Sequence, residues 1–340
     1  MKNPFQGKHG PLLIAEIGGN HEGNFNYALK LTKLAIEADV DIIKYQIYTG
    51  SSLVNKKVSP ERFSHFKNFE LSKNEHLELA NICINNNIQY SASVWDLSVL
   101  DWIDPFLEIY KIGSGDLTAY PLLDSISKRN KPIILSTGLS NLDEIKDTVS
   151  FLTERNPIYK SKKFLSILQC TSLYPNKEKD VNLNVIKTLK DNFDYPIGYS
   201  DHTTSSLALK TAYTMGAEVL EFHFTDIREN KKFRDHHISL TKDEVLDLIK
   251  TIKIINVLKG KSSKITLPLE ISTNHVTSFR RAVYTKRDIK SGSIIKEKDL
   301  TILRPNHGID AKYFYEIIGK ETTSDIKKLS PLSFQMFKNN

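Results

Sequence analysis

The sequence predicts an α/β protein: a TIM (β/α)8 barrel followed by a small, β-rich domain. Short apolar runs that end in polar residues alternate with segments of helical periodicity, the pattern of parallel strands joined by crossover helices. Eight such runs recur over about 255 residues, the size of one barrel. At Gly260-Lys261-Ser262-Ser263-Lys264 the texture changes to polar linker. A doubly wound sheet is the alternative, and it would not require the last strand to lie beside the first.

The first run, Pro11-Leu12-Leu13-Ile14-Ala15-Glu16-Ile17, stops at Gly18-Gly19-Asn20 and reads as a buried strand feeding a loop. Leu31, Leu34, Ala35 and Ala38 then fall on one helical face, and 41–47 is the second strand. Helices over 75–85, 96–103, 122–128, 142–153, 184–193, 206–215 and 243–258 separate or follow the strands 88–93, 107–112, 132–136, 164–169, the run around Ile197, and 218–222. The expected boundaries are a barrel over 1–260, a linker over 261–278 and a second domain over 279–340. In the second domain 279–285, 300–305 and 326–332 are short apolar pieces with little helix. A domain of about 60 residues is marginal alone, so docking onto the barrel or a second subunit is expected.

Composition narrows the partners. The chain has 340 residues, a formal net charge of +7, 40% hydrophobic residues and 26% charged residues. Its Lys and Arg residues are dispersed rather than clustered, which argues against nucleic acid and suits an anionic small molecule. Two cysteines, Cys83 and Cys170, make no disulfide framework. Neither a secretory leader nor a membrane-length apolar run is recognisable, and a cytoplasmic protein with reduced thiols is expected.

Barrel chemistry belongs at the C-terminal ends of the strands. Those ends hold Glu16, Lys44 and Gln46, Ser93, Lys111 with Ser114, Ser136, 169–172, Ser200-Asp201-His202, and Glu221 with His223. One lysine in an apolar strand is ordinarily a snorkelling lysine paired with a carboxylate. Two, flanked by Ser114, Ser136 and Ser200 and by the backbone amides of Gly113 and Gly115, suggest a cradle for a phosphate or carboxylate. A lone histidine is usually structural, and His65, His76, His275 and His307 are read that way. His202 and His223 end consecutive strands and can share a cation. Two imidazoles with carboxylate and water suit Mn²⁺, Co²⁺ or Mg²⁺ better than a closed zinc site. Asp235-His236-His237 could add ligands or orient substrate. A metal-dependent hydrolase competes, but such barrels typically open with a His-x-His pair, and this first strand offers Glu16.

Taken in order, 15–23, Ile43-Lys44-Tyr45-Gln46, 110–115, Leu135-Ser136-Thr137-Gly138, 169–175, 198–203 and 220–225 resemble the sialic acid synthase family. Arg304-Pro305 and Ile318-Gly319-Lys320 resemble the antifreeze-like (SAF) domain that ends those enzymes. The resemblance implies condensation of phosphoenolpyruvate with an N-acyl hexosamine to give a nine-carbon 2-keto-3-deoxy sugar acid and phosphate. It implies that Lys44, Lys111, Ser114, Ser136 and Ser200, assisted by Ser172 and Ser93, hold phosphoenolpyruvate. His202 and His223 would hold Mn²⁺ or Mg²⁺, a Lewis acid for the sugar aldehyde. Gln46, Asp116, Tyr174 and Asp235 would face the sugar, and Glu16, Lys111 and His223 the reacting centre. Phe279 and Arg304 would arrive from a partner subunit in a domain-swapped homodimer. A non-catalytic carbohydrate- or ice-binding protein built on the tail is disfavoured, because it would not require polar strand ends.

Departures from the family pattern gather on the sugar side. Asp116 stands where Glu is common, Ser172 for Asn, and Phe222 for Lys or Arg. Lys232-Phe233-Arg234-Asp235 replaces a Pro-Gly-Pro-Asp loop, and Ala92-Ser93-Val94-Trp95 replaces Ser-Thr-Pro-Phe. N-acetylmannosamine or a diacetamido relative is therefore the expected acceptor.

Overall fold

A computed structural model describes residues 3–338. The chain divides into two compact units, Met1–Gly260 and Lys261–Asn340. In the first, a short strand β1 (Gln6–Gly7) turns back antiparallel onto β2 (Gly10–Glu16). The parallel series then runs through β3 (Ile42–Ile47), β4 (Gln89–Val94), β5 (Tyr110–Ile112), β6 (Ile133–Ser136), β7 (Leu165–Cys170), β8 (Ile197–Asp201) and β9 (Val219–His223). β9 pairs parallel with β2, from Leu12 opposite Val219 to Glu16 opposite His223. That pairing closes an eight-stranded TIM barrel and excludes the doubly wound sheet.

Closure follows from side-chain alternation. Phe5, Leu12, Ile14, Ile42, Ile109, Ile134, Leu168 and Val219 form one buried cluster. The alternate residues, among them Leu13, Ile43, Tyr45, Ile133 and Ile167, join the core that also takes in the helices. Phe5 belongs to the small hairpin that precedes the barrel, which the sequence reading did not predict; two paired residues carry too little pattern to register.

The helices are α1 (Phe25–Glu37), α2 (Gly50–Leu53), α3 (Pro60–Asn68), α4 (Lys73–Asn85), α5 (Leu100–Ile103), α6 (Tyr120–Ser127), α7 (Leu142–Arg155), α8 (Val185–Asn192), α9 (Leu207–Thr214) and α10 (Lys242–Lys259). Their starts are written in the sequence. Asn24 accepts from Tyr27 N, while Ser72 with Glu75 and Asn141 with Glu144 form capping boxes. α1 buries Ala28, Leu31 and Ala35, and a fully buried leucine such as Leu31 contributes about 1.5–3 kcal/mol. α2 and α3 were not predicted. α3 has no fully buried residue, so no apolar stripe marks it out.

The second unit is built on β10 (Ala282–Thr285) paired antiparallel with β11 (Leu300–Leu303). Val283, Ile289, Ile295, Leu300, Ile317, Ile326, Leu332 and Phe337 form its core. Two short helices, α11 (Pro268–Ser272) and α12 (His275–Phe279), occupy the stretch read as linker. Phe279 ends α12, so the strand expected from there begins only at Ala282. Among the described residues, no helix is long and apolar enough to cross a membrane.

Candidate active site

The strand register delivers the polar ends to one mouth. Glu16 lies opposite Lys44 on one side and His223 on the other; Ser93 lies opposite Lys111, and Ser200 opposite Glu221. A cavity of about 1170 Å³ opens there, lined by Glu16, Lys44, Gln46, Ser93, Lys111, Ser114, Asp116, Ser136, Ser172, Tyr174, Ser200, His202, His223 and Asp235. The structure thus brings together every barrel residue to which the family resemblance gives a role, while Asp201, His236 and His237 do not line the cavity. Phe279 and Arg304 lie in the second unit, where the Arg304 guanidinium sits 5.8 Å from the Phe279 ring centroid.

At the floor two buried lysines meet two buried carboxylates. Lys44 Nζ lies 2.6 Å from Glu16 Oε2 and 3.7 Å from Glu221 Oε2, and Lys111 Nζ lies 3.4 Å from Glu221 Oε1. Lys44 also donates to Ser93 Oγ, Lys111 to Ser136 Oγ at 2.7 Å, and Ser200 to Glu221 Oε1 at 2.8 Å. All four charged side chains are buried, so the lysines do not snorkel, and their pairing with carboxylates is closer than expected. Glu221, seen in the sequence only as a polar strand end, is the shared counter-ion of both lysines. The signal was there: a carboxylate between Leu220 and Phe222 in a closed barrel has to be paired.

The protonation states follow from this wiring. Burial raises Glu16, aided by Glu221 and opposed by Lys44. Burial opposes charge on Glu221 too, but Lys111 and Lys44 outweigh it and hold that carboxyl at about 2. Burial likewise disfavours charged Lys44, yet Glu16 and Glu221 win and raise it. For Lys111, burial prevails over Glu221, and its pKa falls. Lys111 is therefore the under-compensated cation of the set.

The histidines stand beside this cluster with ring centroids 5.3 Å apart. His202 Nδ1 is 2.8 Å from the Thr171 carbonyl, which makes that nitrogen the donor and in the neutral ring leaves the lone pair on Nε2; burial disfavours charge on this ring, but Cys170 and the Thr171 carbonyl outweigh it and raise its pKa. His223 Nδ1 is buried without a hydrogen-bond partner, 3.8 Å from Asp235 Oδ2. Burial lowers His223 to about 3, so it is neutral at pH 7. A neutral, orphaned imidazole beside a second free lone pair fits a divalent cation. Among the described residues no three His, Cys, Asp or Glu side chains are grouped closely enough to hold a metal by themselves. A cation here would keep positions open for water or substrate, as catalytic sites do.

Neighbouring residues divide by role. His236 bonds Thr225 Oγ1 and Glu22, away from the pair, and His76 bonds Tyr90 OH as a buried structural residue. His65 lines the cavity and packs on Phe69 with centroids 4.4 Å apart. Gln46 donates to Glu16 Oε1 at 2.7 Å. Tyr174 packs on His202 at 4.0 Å and under the Arg234 guanidinium at 4.3 Å. Asp116 is raised by burial while the Trp95 indole N–H pulls it down. Cys170, one of the polar strand ends, lies 3.8 Å from His202 Nδ1, and one feature escaped the sequence, an aromatic wall above β3 and β4.

Buried lysine–carboxylate pairs at the C-terminal mouth of a closed parallel barrel mark a TIM-barrel enzyme with a buried, charged site. Residues 31–264 match the NeuB family and residues 280–338 the SAF domain, and the chain belongs to the NeuB family. It is 33% identical to N,N'-diacetyllegionaminic acid synthase of Campylobacter jejuni over 93% of this chain and 97% of that one. Pseudaminic acid synthase of the same organism is 31% identical, over 93% of each. The solved N-acetylneuraminic acid synthetase of Leptospira borgpetersenii superposes with a TM-score of 0.69 at 30% identity, covering 78% of this chain and 90% of that one. The chain is thus an enzyme of a family of sialic-acid-type synthases.

Proposed function

We propose that the enzyme condenses phosphoenolpyruvate with an N-acylated hexosamine, releasing phosphate and forming a nine-carbon 2-keto-3-deoxy sugar acid. The observation that carries this reading is Lys111, buried beside Ser136 and Glu221 and lacking full compensation for its charge. An incoming anion relieves that deficit. Lys44 and the hydroxyls of Ser93, Ser114, Ser136, Ser172 and Ser200 complete the phosphoenolpyruvate cradle, since ammonium and hydroxyl donors suit phosphate and carboxylate oxygens.

The remaining residues serve the acceptor. His202 Nε2 and His223 hold a divalent cation, with Mn²⁺ or Co²⁺ favoured over Mg²⁺ by the imidazole ligands. When bound, that ion supplies Lewis-acid polarisation of the sugar aldehyde. Gln46, Asp116, Tyr174 and Asp235 orient the sugar so that its aldehyde carbon meets the phosphoenolpyruvate methylene. Forming that C–C bond leaves the enol carbon electron-poor. Water adds to it and gives one proton to Glu16, which passes it to the former aldehyde oxygen as that becomes a hydroxyl, and phosphate departs by C–O cleavage with the second water proton as the new hydroxyl becomes the keto oxygen. The partner subunit's Phe279 and Arg304 close the sugar side in a domain-swapped homodimer.

The test is phosphate release from phosphoenolpyruvate with Mn²⁺ across a panel of N-acyl hexosamines. Acceptor-dependent release is expected. Release without acceptor, or with none of the panel, contradicts the proposal.

A further inference from the structure

The segment between β9 and α10 brings Arg234 and Asp235 to the mouth, and a strap behind the cavity holds it there. Thr225 lies two residues beyond His223, and His236 directly follows Asp235. His236 is fully buried, with Nδ1 2.7 Å from Thr225 Oγ1 and Nε2 3.0 Å from Glu22 Oε1. An ionised carboxylate only accepts, so Nε2 carries the proton and, in the neutral ring, the Thr225 hydroxyl donates to Nδ1. Asp235 lines the cavity, which His236 does not reach. Arg234 Nε donates to Asp235 Oδ1 at 2.9 Å, and Oδ2 lies 3.8 Å from His223 Nδ1. Thr225–His236 and His223–Asp235 are thus neighbouring rungs between the end of β9 and the segment that returns to it.

A second tie runs alongside. Asn20 Nδ2 donates to the Phe224 carbonyl at 2.9 Å and to Ser239 Oγ at 2.8 Å, and Ser239 Oγ donates to the Asp235 carbonyl at 2.7 Å. Both ties start in the turn after β2. Glu22 is left-handed in that turn, with φ of 51°, a conformation that glycine adopts freely and glutamate does not. Backbone geometry alone favours glycine at this position; what glutamate adds is the carboxylate on His236.

Resting on the synthase reading above, we infer that His236 and Glu22 are positioning residues for the reaction: their strap sets the Asp235 carboxylate beside His223. A negative oxygen next to the unpartnered His223 nitrogen favours a cation there and orients the acceptor that meets it. A shift of about 1 Å in the segment would forfeit that placement.

The test reads Mn²⁺ binding by electron paramagnetic resonance, which needs no turnover, together with steady-state rates on the N-acyl hexosamine turned over best. Glu22→Gly relieves the turn and gives up one hydrogen bond that cavity water can replace, so the melting temperature should stay within about 3 °C. The Mn²⁺ Kd and the acceptor KM should nevertheless each rise about fivefold or more, with the KM for phosphoenolpyruvate within about twofold of wild type. Glu22→Gln, whose amide oxygen still accepts from Nε2, should return both to within about twofold. His236→Ala should cost about tenfold in acceptor kcat/KM in the wild-type background but no more than about twofold in Asp235→Ala, because it acts through that carboxylate. Equal losses in the two backgrounds overturn the inference. So do wild-type Mn²⁺ and acceptor binding by Glu22→Gly, losses that track a fallen melting temperature, or a Glu22→Gln no better than Glu22→Gly. If the wild type turns over no acceptor, the synthase reading fails, and the Mn²⁺ measurements still decide the strap.

Discussion

Glu16 and Glu221 share Lys44, yet their surroundings part them. Glu221 is pinned ionised between Lys111 and Lys44, and Glu16, with a single close lysine, is pushed up by burial. Two carboxylates driven apart in this way take different tasks, one a fixed charge and one a proton carrier. With Glu16 acting as base, kcat should rise as pH climbs through its raised pKa, above the usual carboxylate range. Glu16→Gln should lower kcat by about a hundredfold or more and remove that limb from the pH–rate profile. Gly138 bears on the same floor, because a Cβ there would fall 2.4 Å from Ser172 Oγ and 2.9 Å from Ser114 Oγ. Gly138→Ala should therefore raise the KM for phosphoenolpyruvate at least about tenfold, measured by initial rates, with little loss of thermal stability. At this scale the sequence was most informative about polar atoms at strand ends, because alternation and barrel closure allow only one mouth. It could not show that Glu221 serves two lysines, since that depends on register between strands far apart in the chain.

The elements were legible in proportion to what they bury. Helices with capped starts and an apolar face, such as α1, α4 and α7, stand out from the periodicity. α3 does not, because its aromatic face packs on a cavity rather than on the core, so the wall it builds went unseen. Burial also leaves a thermodynamic mark on three elements. His21 after β2, His76 on α4 and His223 on β9 are pushed down to about 4, 3 and 3. A histidine kept neutral in the fold but free to charge when unfolded means the unfolded chain binds more protons below its ordinary pKa of about 6.5. Stability should thus be fully present above that pH and fall as pH drops toward 4, by up to about 1.4 kcal/mol per pH unit for each histidine. Glu16, raised by burial, opposes this trend within its own range. Thermal melts between pH 7 and 4.5 check it, and His76→Gln, remote from the reacting centre, should flatten the slope.

Across the whole molecule the charge is unevenly placed. Of 47 Lys and Arg, 15 lie in Lys261–Asn340, with only 8 of the 40 Asp and Glu, so the smaller unit carries the entire net charge of +7 and the barrel none. If the partner's SAF domain completes each site, subunits with different defects should rescue one another. Refolded mixtures of His223→Ala and Arg304→Ala should regain up to about a quarter of wild-type activity, because half the dimers are then mixed and each has one intact site. Activity no greater than the sum of the separate variants would place both residues in one chain's site. The most direct test of the divided mouth is equilibrium binding of phosphoenolpyruvate to Lys111→Met and His223→Ala, alongside turnover with Mn²⁺. Lys111→Met should lose binding, and His223→Ala should bind normally yet turn nothing over. Equal loss of binding in both, or full turnover by His223→Ala in chelator, would contradict a mouth split between an anion cradle and a histidine-held cation.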